Sequence, residues 1–289
     1  MAMTATAEGM RRKRAFVGAR GGSFGYLLPA LVLVVIFFIV PVLMLLMRSV
    51  LEPEPGLQNY KALLGSTTYL RIFLNTFLVA GVVTIISIVI GYPVAWLLAI
   101  MPEKWSRLVL AIIILSMWTN LLTRTYAWMV LLQRTGVINK TLMGLGLIDQ
   151  PLPLVNNLVG VTIGMTYIML PFVILPLMGV IRAIDPAILR AAALCGATSM
   201  QCFTRVLLPL SLPGIAAGAL MVFVMSLGYF VTPALLGGTS NMMLAELVAQ
   251  FVQSLVNWGM GGAAAFVLLV VTLTLYAVQL RYFNPNKAR

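Results

Sequence analysis

The sequence predicts an all-α protein built from membrane-spanning helices, and three observations carry that prediction. The first is composition: 61% of the residues are hydrophobic and only 9% charged, with a mean hydropathy of +1.04. A soluble domain of 289 residues cannot hide so much apolar surface behind so few charges. The second is the length of the apolar runs, about 20 residues each, as a helix needs to cross a hydrocarbon core. Backbone groups in lipid must bond internally, which leaves helices or a closed barrel. These runs are continuous and do not alternate as barrel strands do. The third is charge: Lys and Arg collect between alternate runs, as cytoplasmic loops require.

Six spans are expected, in the order 26–47, 73–100, 108–122, 158–180, 215–235 and 261–280. The first follows Arg11, Arg12, Lys13, Arg14 and Arg20. Its apolar run is too long for a secretory signal, and no A-x-A site follows before Glu52, so a retained anchor is expected. The segment 123–157 is too long for a turn. Its stretches 126–132 and 138–147 predict short helices at the outer interface, with Trp128 near headgroup level. Thirteen of the nineteen Lys and Arg fall on the side that holds both termini and the loops after spans two and four. The N- and C-termini are therefore expected in the cytoplasm. The chain divides into a basic tail (1–22), a membrane domain (23–283) and a short tail (284–289). Pro41, Pro93, Pro171, Pro176 and Pro233 are expected to kink or end helices.

Several functions are disfavoured by what is missing. The net charge of +12 reads as membrane orientation and affinity for anionic headgroups, not as nucleic-acid binding. There is no histidine, so the commonest general base and metal ligand are both lacking. Cys195 and Cys202 fall in a reducing loop and read as small loop residues. The run 136–141, GVINKT, lacks the glycine before Lys140 that a phosphate-binding loop requires. ATP hydrolysis must come from another chain. All seven acids (Glu8, Glu52, Glu54, Glu103, Asp149, Asp185 and Glu246) sit outside the apolar runs. That disfavours an ion-coupled secondary transporter, the alternative class, because the coupling ion needs a mid-membrane ligand. Glu246 reads as a solvated residue, or as one that meets a cation or a docked protein.

The loop about 181–212 is the most informative segment: IRAIDPAILRAAALCGATSMQCFTRVLLPLSLPG, which runs on to Gly214. Asp185-Pro186 is a helix start, with a capping side chain and a proline in the first turn. Gly196 permits a tight change of direction. A second short helix is expected from Thr198 or Ser199 to about Leu207, stopped by Pro209 and Pro213. Ala191, Ala192 and Ala193 offer a smooth face. Leu194, Phe203 and Leu207 offer anchors for a groove on a partner.

The order Arg190-Ala191-Ala192, Gly196, Leu208-Pro209 resembles the cytoplasmic E-A-A-x3-G-x9-I-x-L-P loop of ABC importer permeases. Three further stretches resemble the spermidine/putrescine branch of that family: Trp118 to Trp128 (WTNLLTRTYAW), Met165 to Phe172 (MTYIMLPF) and Leu208 to Ile215 (LPLSLPGI). The resemblance covers about Tyr26 to Phe283. It implies the ABC importer permease fold in a bacterial inner membrane. It implies a second permease subunit, two cytoplasmic ATPase subunits, and a periplasmic or lipid-anchored substrate-binding protein. The chain itself would catalyse nothing and bind no cofactor, ATP and Mg residing on the ATPase. Arg190, Ala191, Ala192, Gly196, Phe203, Leu208 and Pro209 would couple to that ATPase. The family's glutamate is here Arg190, which reverses the charge presented. The solute would be a small organic molecule such as spermidine or putrescine. Opines, aminophosphonates and other small solutes stay open. Trp118, Asn120, Tyr126, Tyr167, Ser226 and Tyr229 are candidates for the path, with ordinary packing and interhelical hydrogen bonding as the alternative.

Overall fold

A computed structural model describes residues 27–238 and 241–282; the expected tails 1–22 and 284–289 lie outside the described residues. All regular structure among the described residues is helical. Helix α1 is Leu27–Leu51, α2 Gln58–Gly65, α3 Thr67–Ile100, α4 Glu103–Trp118, α5 Leu121–Leu132 and α6 Val137–Gly144. Then come α7 (Leu158–Ala183), α8 (Pro186–Leu194), α9 (Ser199–Leu227), α10 (Val231–Leu236), α11 (Leu244–Ala249) and α12 (Trp258–Tyr282). Five of them, α1, α3, α7, α9 and α12, are long and apolar enough to cross a membrane.

The third expected span, 108–122, is not a straight helix. Helix α4 and the segment Leu121–Gly144 qualify only as a bent pair, and they meet at 98°. The break has a local cause. Thr119 is extended, and the Asn120 side chain accepts the N–H groups of Leu122 (2.9 Å) and Thr123 (3.4 Å), which starts a new helix. Helices α5 and α6 are the short helices expected in 123–157. Asn139 fixes the strand of chain beyond them, accepting the Leu152 N–H at 2.8 Å and donating to the Leu152 carbonyl at 3.0 Å.

The fifth span also differs from expectation. It ends at Leu227, and 231–236 forms a separate helix. At its other end Pro209 and Pro213 do not stop the helix, which runs unbroken from Ser199. For Pro209 the reason is a widened π turn over Cys202–Leu207, closed by the Leu208 N–H on the Phe203 carbonyl; Pro213 lies inside the regular helix beyond it. A proline ring collides with the carbonyl of the preceding turn in a regular helix, and the wider turn relieves that. The same device precedes Pro41, where Val35–Ile39 is a π turn closed by the Val40 N–H on the Val35 carbonyl. Pro93, Pro171 and Pro176 sit inside α3 and α7.

The core is a three-helix packing of α3, α7 and α9. Apolar residues fill it, among them Val79, Val83, Met165, Met169, Val173, Leu177 and Val222, all fully buried. Small residues permit the close approach that lipid-embedded helices depend on. A Cβ at Gly91 of α3 would come 3.1 Å from Val173 Cγ1, and one at Gly218 of α9 would come 3.2 Å from the Val173 backbone. Both neighbours thus close on one residue of α7. Helix α12 packs on α1 at the other side, where a Cβ on Gly262 would overlap the Leu45 carbonyl.

Polar clips join these helices. Tyr92 and Ser211 share a hydrogen bond of 3.1 Å between α3 and α9. Thr76 accepts the Leu244 N–H at 2.8 Å, joining α3 to α11. Thr125 and Thr232 pair at 3.2 Å between α5 and α10. Such bonds contribute about 0.6 kcal/mol each in a membrane setting. The Leu98 carbonyl, in the last turn of α3, accepts from Arg182 (3.1 Å) and from Ser106 (2.8 Å), and Arg182 also donates to Ser106. An orphan helix-end acceptor is thereby satisfied, and α3, α4 and α7 are tied at one end.

Candidate functional site

The loop 184–213 is a capped helical hairpin. Asp185 Oδ1 accepts the Ala187 N–H at 2.8 Å, and Pro186 occupies the first turn of α8. The helix ends in a full Schellman closure. The Ala197 N–H bonds the Ala192 carbonyl at 3.1 Å, and the Gly196 N–H bonds the Ala193 carbonyl at 3.0 Å. That closure needs a left-handed residue, and Gly196 has φ +85°. An added Cβ there would meet nothing within 4 Å, so the demand is conformational and not spatial. Helix α9 then opens on a capping box: the Thr198 N–H bonds Gln201 Oε1 at 2.9 Å, and the Gln201 N–H bonds Thr198 Oγ1 at 3.3 Å. The turn is fixed at both shoulders by its own side chains.

The hairpin presents a different set of anchors from those expected. Leu194 is 90% exposed at its tip, and Arg190, Ala191 and Pro209 are exposed. Arg190 forms no ion pair among the described residues. Ala192 and Leu208 are half-buried. Phe203 and Leu207, read from sequence as anchors for a partner, turn inward instead. Phe203 packs edge-on against Tyr92 at 5.7 Å, and Leu207 is buried. The π turn sets their direction, which an ideal helical wheel misplaces. In their stead Met200, 68% exposed, joins Leu194 on the surface. Between the hairpin and α3 lies a groove of about 590 Å³, walled by Trp96, Leu189, Ala193, Ala197, Met200 and Phe203.

The path candidates do not converge on one place. Trp118 is exposed at the α4 break, and Asn120 is spent as the cap of α5. Tyr126 is exposed. Tyr167 is half-buried and packs against Trp128 with the rings tilted at 59° and 5.5 Å apart, so Trp128 is packed against α7. Ser226 is buried with no partner for its hydroxyl. Tyr229 lines a small cavity of about 120 Å³ together with Met117, Arg124, Ile168, Met169, Phe172 and Met225.

Arg124 falls in the segment 123–157, which the sequence places outside the spans at the outer interface. The structure places it on α5, half-buried, with its Nε lacking any hydrogen-bond partner among the described residues. The available signal was Asn120, a capping residue in the middle of an apolar run, four residues earlier. Glu246 is a second correction, since it is not simply solvated. It sits in the first turn of α11, outside the long spans, close to the Met243 backbone; its Oε2 is buried without a partner among the described residues. Burial pushes its carboxyl above the ordinary value of 4.5, and the Met243 backbone partly offsets that. Among the described residues no cluster of three or more His, Cys, Asp or Glu could hold a metal ion.

A bundle of apolar helices with a capped hairpin at one end is the architecture of a multi-pass inner-membrane permease, the membrane subunit of an ABC importer. Residues 61–288 match the family described as binding-protein-dependent transport system inner membrane component, and the chain belongs to that family. It is 35% identical over 245 residues to the spermidine/putrescine transport system permease protein PotB of Salmonella typhimurium, covering 82% of this chain and 85% of that protein. PotB of Haemophilus influenzae is 34% identical over 262 residues, covering 88% of this chain and 90% of that protein. The fold matches a chain of a bacterial ABC transporter that imports the acidic polysaccharide alginate, with a TM-score of 0.72 at 19% identity, covering 94% of this chain and 99% of that one. A second structure of such a transporter, in complex with an alginate pentasaccharide-bound periplasmic protein, gives a TM-score of 0.73 at 19% identity, over 93% and 97% of the two chains. As a permease subunit the chain is non-catalytic, and ATP hydrolysis belongs to its ABC transporter partners.

Proposed function

We propose that this chain is one of two permease subunits of a polyamine importer, with spermidine or putrescine as the solute. The similarity to PotB proteins over more than four-fifths of the chain carries the choice of solute. The capped hairpin carries the choice of mechanism. In this reading both termini and the hairpin lie in the cytoplasm, as the distribution of basic residues requires. Two ATPase subunits bind below, a substrate-binding protein docks above, and the path runs between this chain and its companion permease.

The hairpin is suited to pass force. Its turn is locked by Asp185, Gly196 and Thr198, so a push on α8 is not lost in a flexible loop. Helix α9 continues from the hairpin directly into the α3–α7–α9 core. ATP on one face and the loaded binding protein on the other then bias a two-state equilibrium. The ATPase would have to present an acid or a neutral surface to Arg190, because a base would repel it.

The test is ATP-driven uptake by the whole importer reconstituted in vesicles. Labelled putrescine or spermidine should accumulate only with ATP inside and the binding protein outside. Uptake that survives ATP removal and stops with a proton ionophore would instead establish an ion-coupled carrier. ATP-driven uptake of another solute class with no response to polyamines would overturn the choice of solute.

A further inference from the structure

We propose that the cavity around Arg124 and Tyr229 is a carboxylate-binding subsite inside the membrane, filled by a group that none of the described residues supplies. Depth comes first. Met117 lies fourteen residues from the Glu103 end of α4, and Met169 fourteen residues from the Ala183 end of α7. At 1.5 Å per residue both stand about 21 Å from those ends. Arg182 ties the two ends together through Ser106, so the distances share one origin. A hydrocarbon core is about 30 Å thick, which puts the cavity within it. A cation at that depth costs several kcal/mol unless it is paired, and such residues mark solute or ion pathways.

No acid of the described chain pairs with Arg124. Glu52 pairs with Arg48 at 3.6 Å, and Glu103 pairs with Arg107. Asp185 caps α8, and Glu246, in the first turn of α11, forms no ion pair among the described residues. Glu54 and Asp149 are exposed. The guanidinium Nε is buried and has no hydrogen-bond partner among the described residues. Orphaned polar groups of this kind are rare in native interiors and imply an absent partner.

Size and charge narrow the chemistry. A volume of about 120 Å³ is too small for a whole solute, since small-molecule sites run to about 300 Å³ or more. It is enough for a carboxylate, which matches a guanidinium in shape and in charge. A phosphate carries about two charges, and Arg124 is the only cation in the wall, so the second charge would be left bare in lipid. The carboxylate can belong to the solute, which would then be a zwitterion and not a bare polyamine, or to a side chain of the companion permease closing the path with an intersubunit ion pair.

The experiment compares wild type with Arg124→Met and Arg124→Lys in the assembled importer. Two readouts are taken: thermal stability without solute, and ATP-driven uptake of putrescine and of ornithine, which is putrescine bearing one carboxylate. If the solute supplies the group, Arg124→Met loses ornithine uptake about tenfold or more while putrescine uptake and solute-free stability do not fall. If the companion permease supplies it, stability falls and both uptakes fall together. In either case Arg124→Lys lies between the two, keeping the charge but not the fork. Arg124→Met indistinguishable from wild type in both readouts overturns the proposal. So does a loss of stability with uptake intact, which would make Arg124 a structural residue. The choice of probes rests on the polyamine-importer reading. Should wild type carry neither solute, that reading fails alone, and thermal stability decides: a solute-free loss in Arg124→Met, restored in part by Arg124→Lys, supports a protein-borne carboxylate, stabilisation of wild type but not Arg124→Met by added acetate supports a solute-borne one, and neither effect overturns the subsite.

Discussion

Gly196 is where the hairpin is most exposed to a single substitution. Its φ of +85° is required by the closure that ends α8, and the space around its missing side chain is open. A substitution therefore meets no clash, and its cost is the left-handed conformation alone. For an L residue with a Cβ that is about 1–2 kcal/mol, with Asn and Asp the best tolerated and β-branched residues the worst. A cost of that size lowers the population of the correct turn by a factor of about 5–30. Gly196→Asn should retain near-normal import, Gly196→Ala should lose several-fold, and Gly196→Val should lose most. Membrane insertion should be unchanged in all three, because the turn lies outside the α3–α7–α9 core. The assay is import alongside ATPase stimulation in vesicles holding equal amounts of each importer. Val should leave ATPase activity running while import falls. Equal import by all three variants, or the rank order Val above Asn, would refute the argument.

Other predictions follow from the packing. Thr198→Ala removes one half of a capping box and should destabilise the hairpin by about 1 kcal/mol, measurable as faster proteolysis of the loop with no change in assembly. Gly218→Val drives a side chain into the backbone at Val173 and should prevent α9 from closing on α7, read as loss of folded protein in detergent. Ser226→Ala removes a buried hydroxyl that has no partner, so its stability should match or exceed wild type, as a thermal melt will show. For Glu246 the sign is set by its raised folded-state value. The protonated form is favoured in the fold, so its contribution is present at acid pH and is lost as pH rises from 4.5 through the folded value. Glu246→Gln keeps an acceptor beside the Met243 backbone and should show a smaller loss of thermal stability from acid pH to neutrality.

The turn and caps of the hairpin were legible from sequence. Asp185, Gly196 and Thr198 each do what their side chains dictate within a few positions along the chain, and capping is local physics. The spans were legible too, because hydropathy is summed over long windows. Three things were not. Pro209 read as a stop because the π turn that admits it is a backbone adjustment with no compositional mark. Phe203 and Leu207 read as outward anchors because the same turn shifts their direction. Arg124 read as a loop residue because its depth depends on α5 folding back at 98° from α4, and no window average records an angle. The path candidates share that weakness. Trp118 and Asn120 stand out by chemical type, while their positions are decided by where the helix breaks.

The widened turns ahead of Pro41 and Pro209 also set an azimuth. Each inserts the equivalent of one residue before the downstream stretch, and one residue of α-helix is a rotation of about 100°. Trim a single residue from 202–207 and everything beyond it would swing by that angle. Gly214 and Gly218 would then point away from α7, and bulkier neighbours would be driven against Val173 and Val180. The length of that short stretch is thus the protein's phase adjustment, matching a hairpin fixed by its caps to a bundle fixed by its glycines.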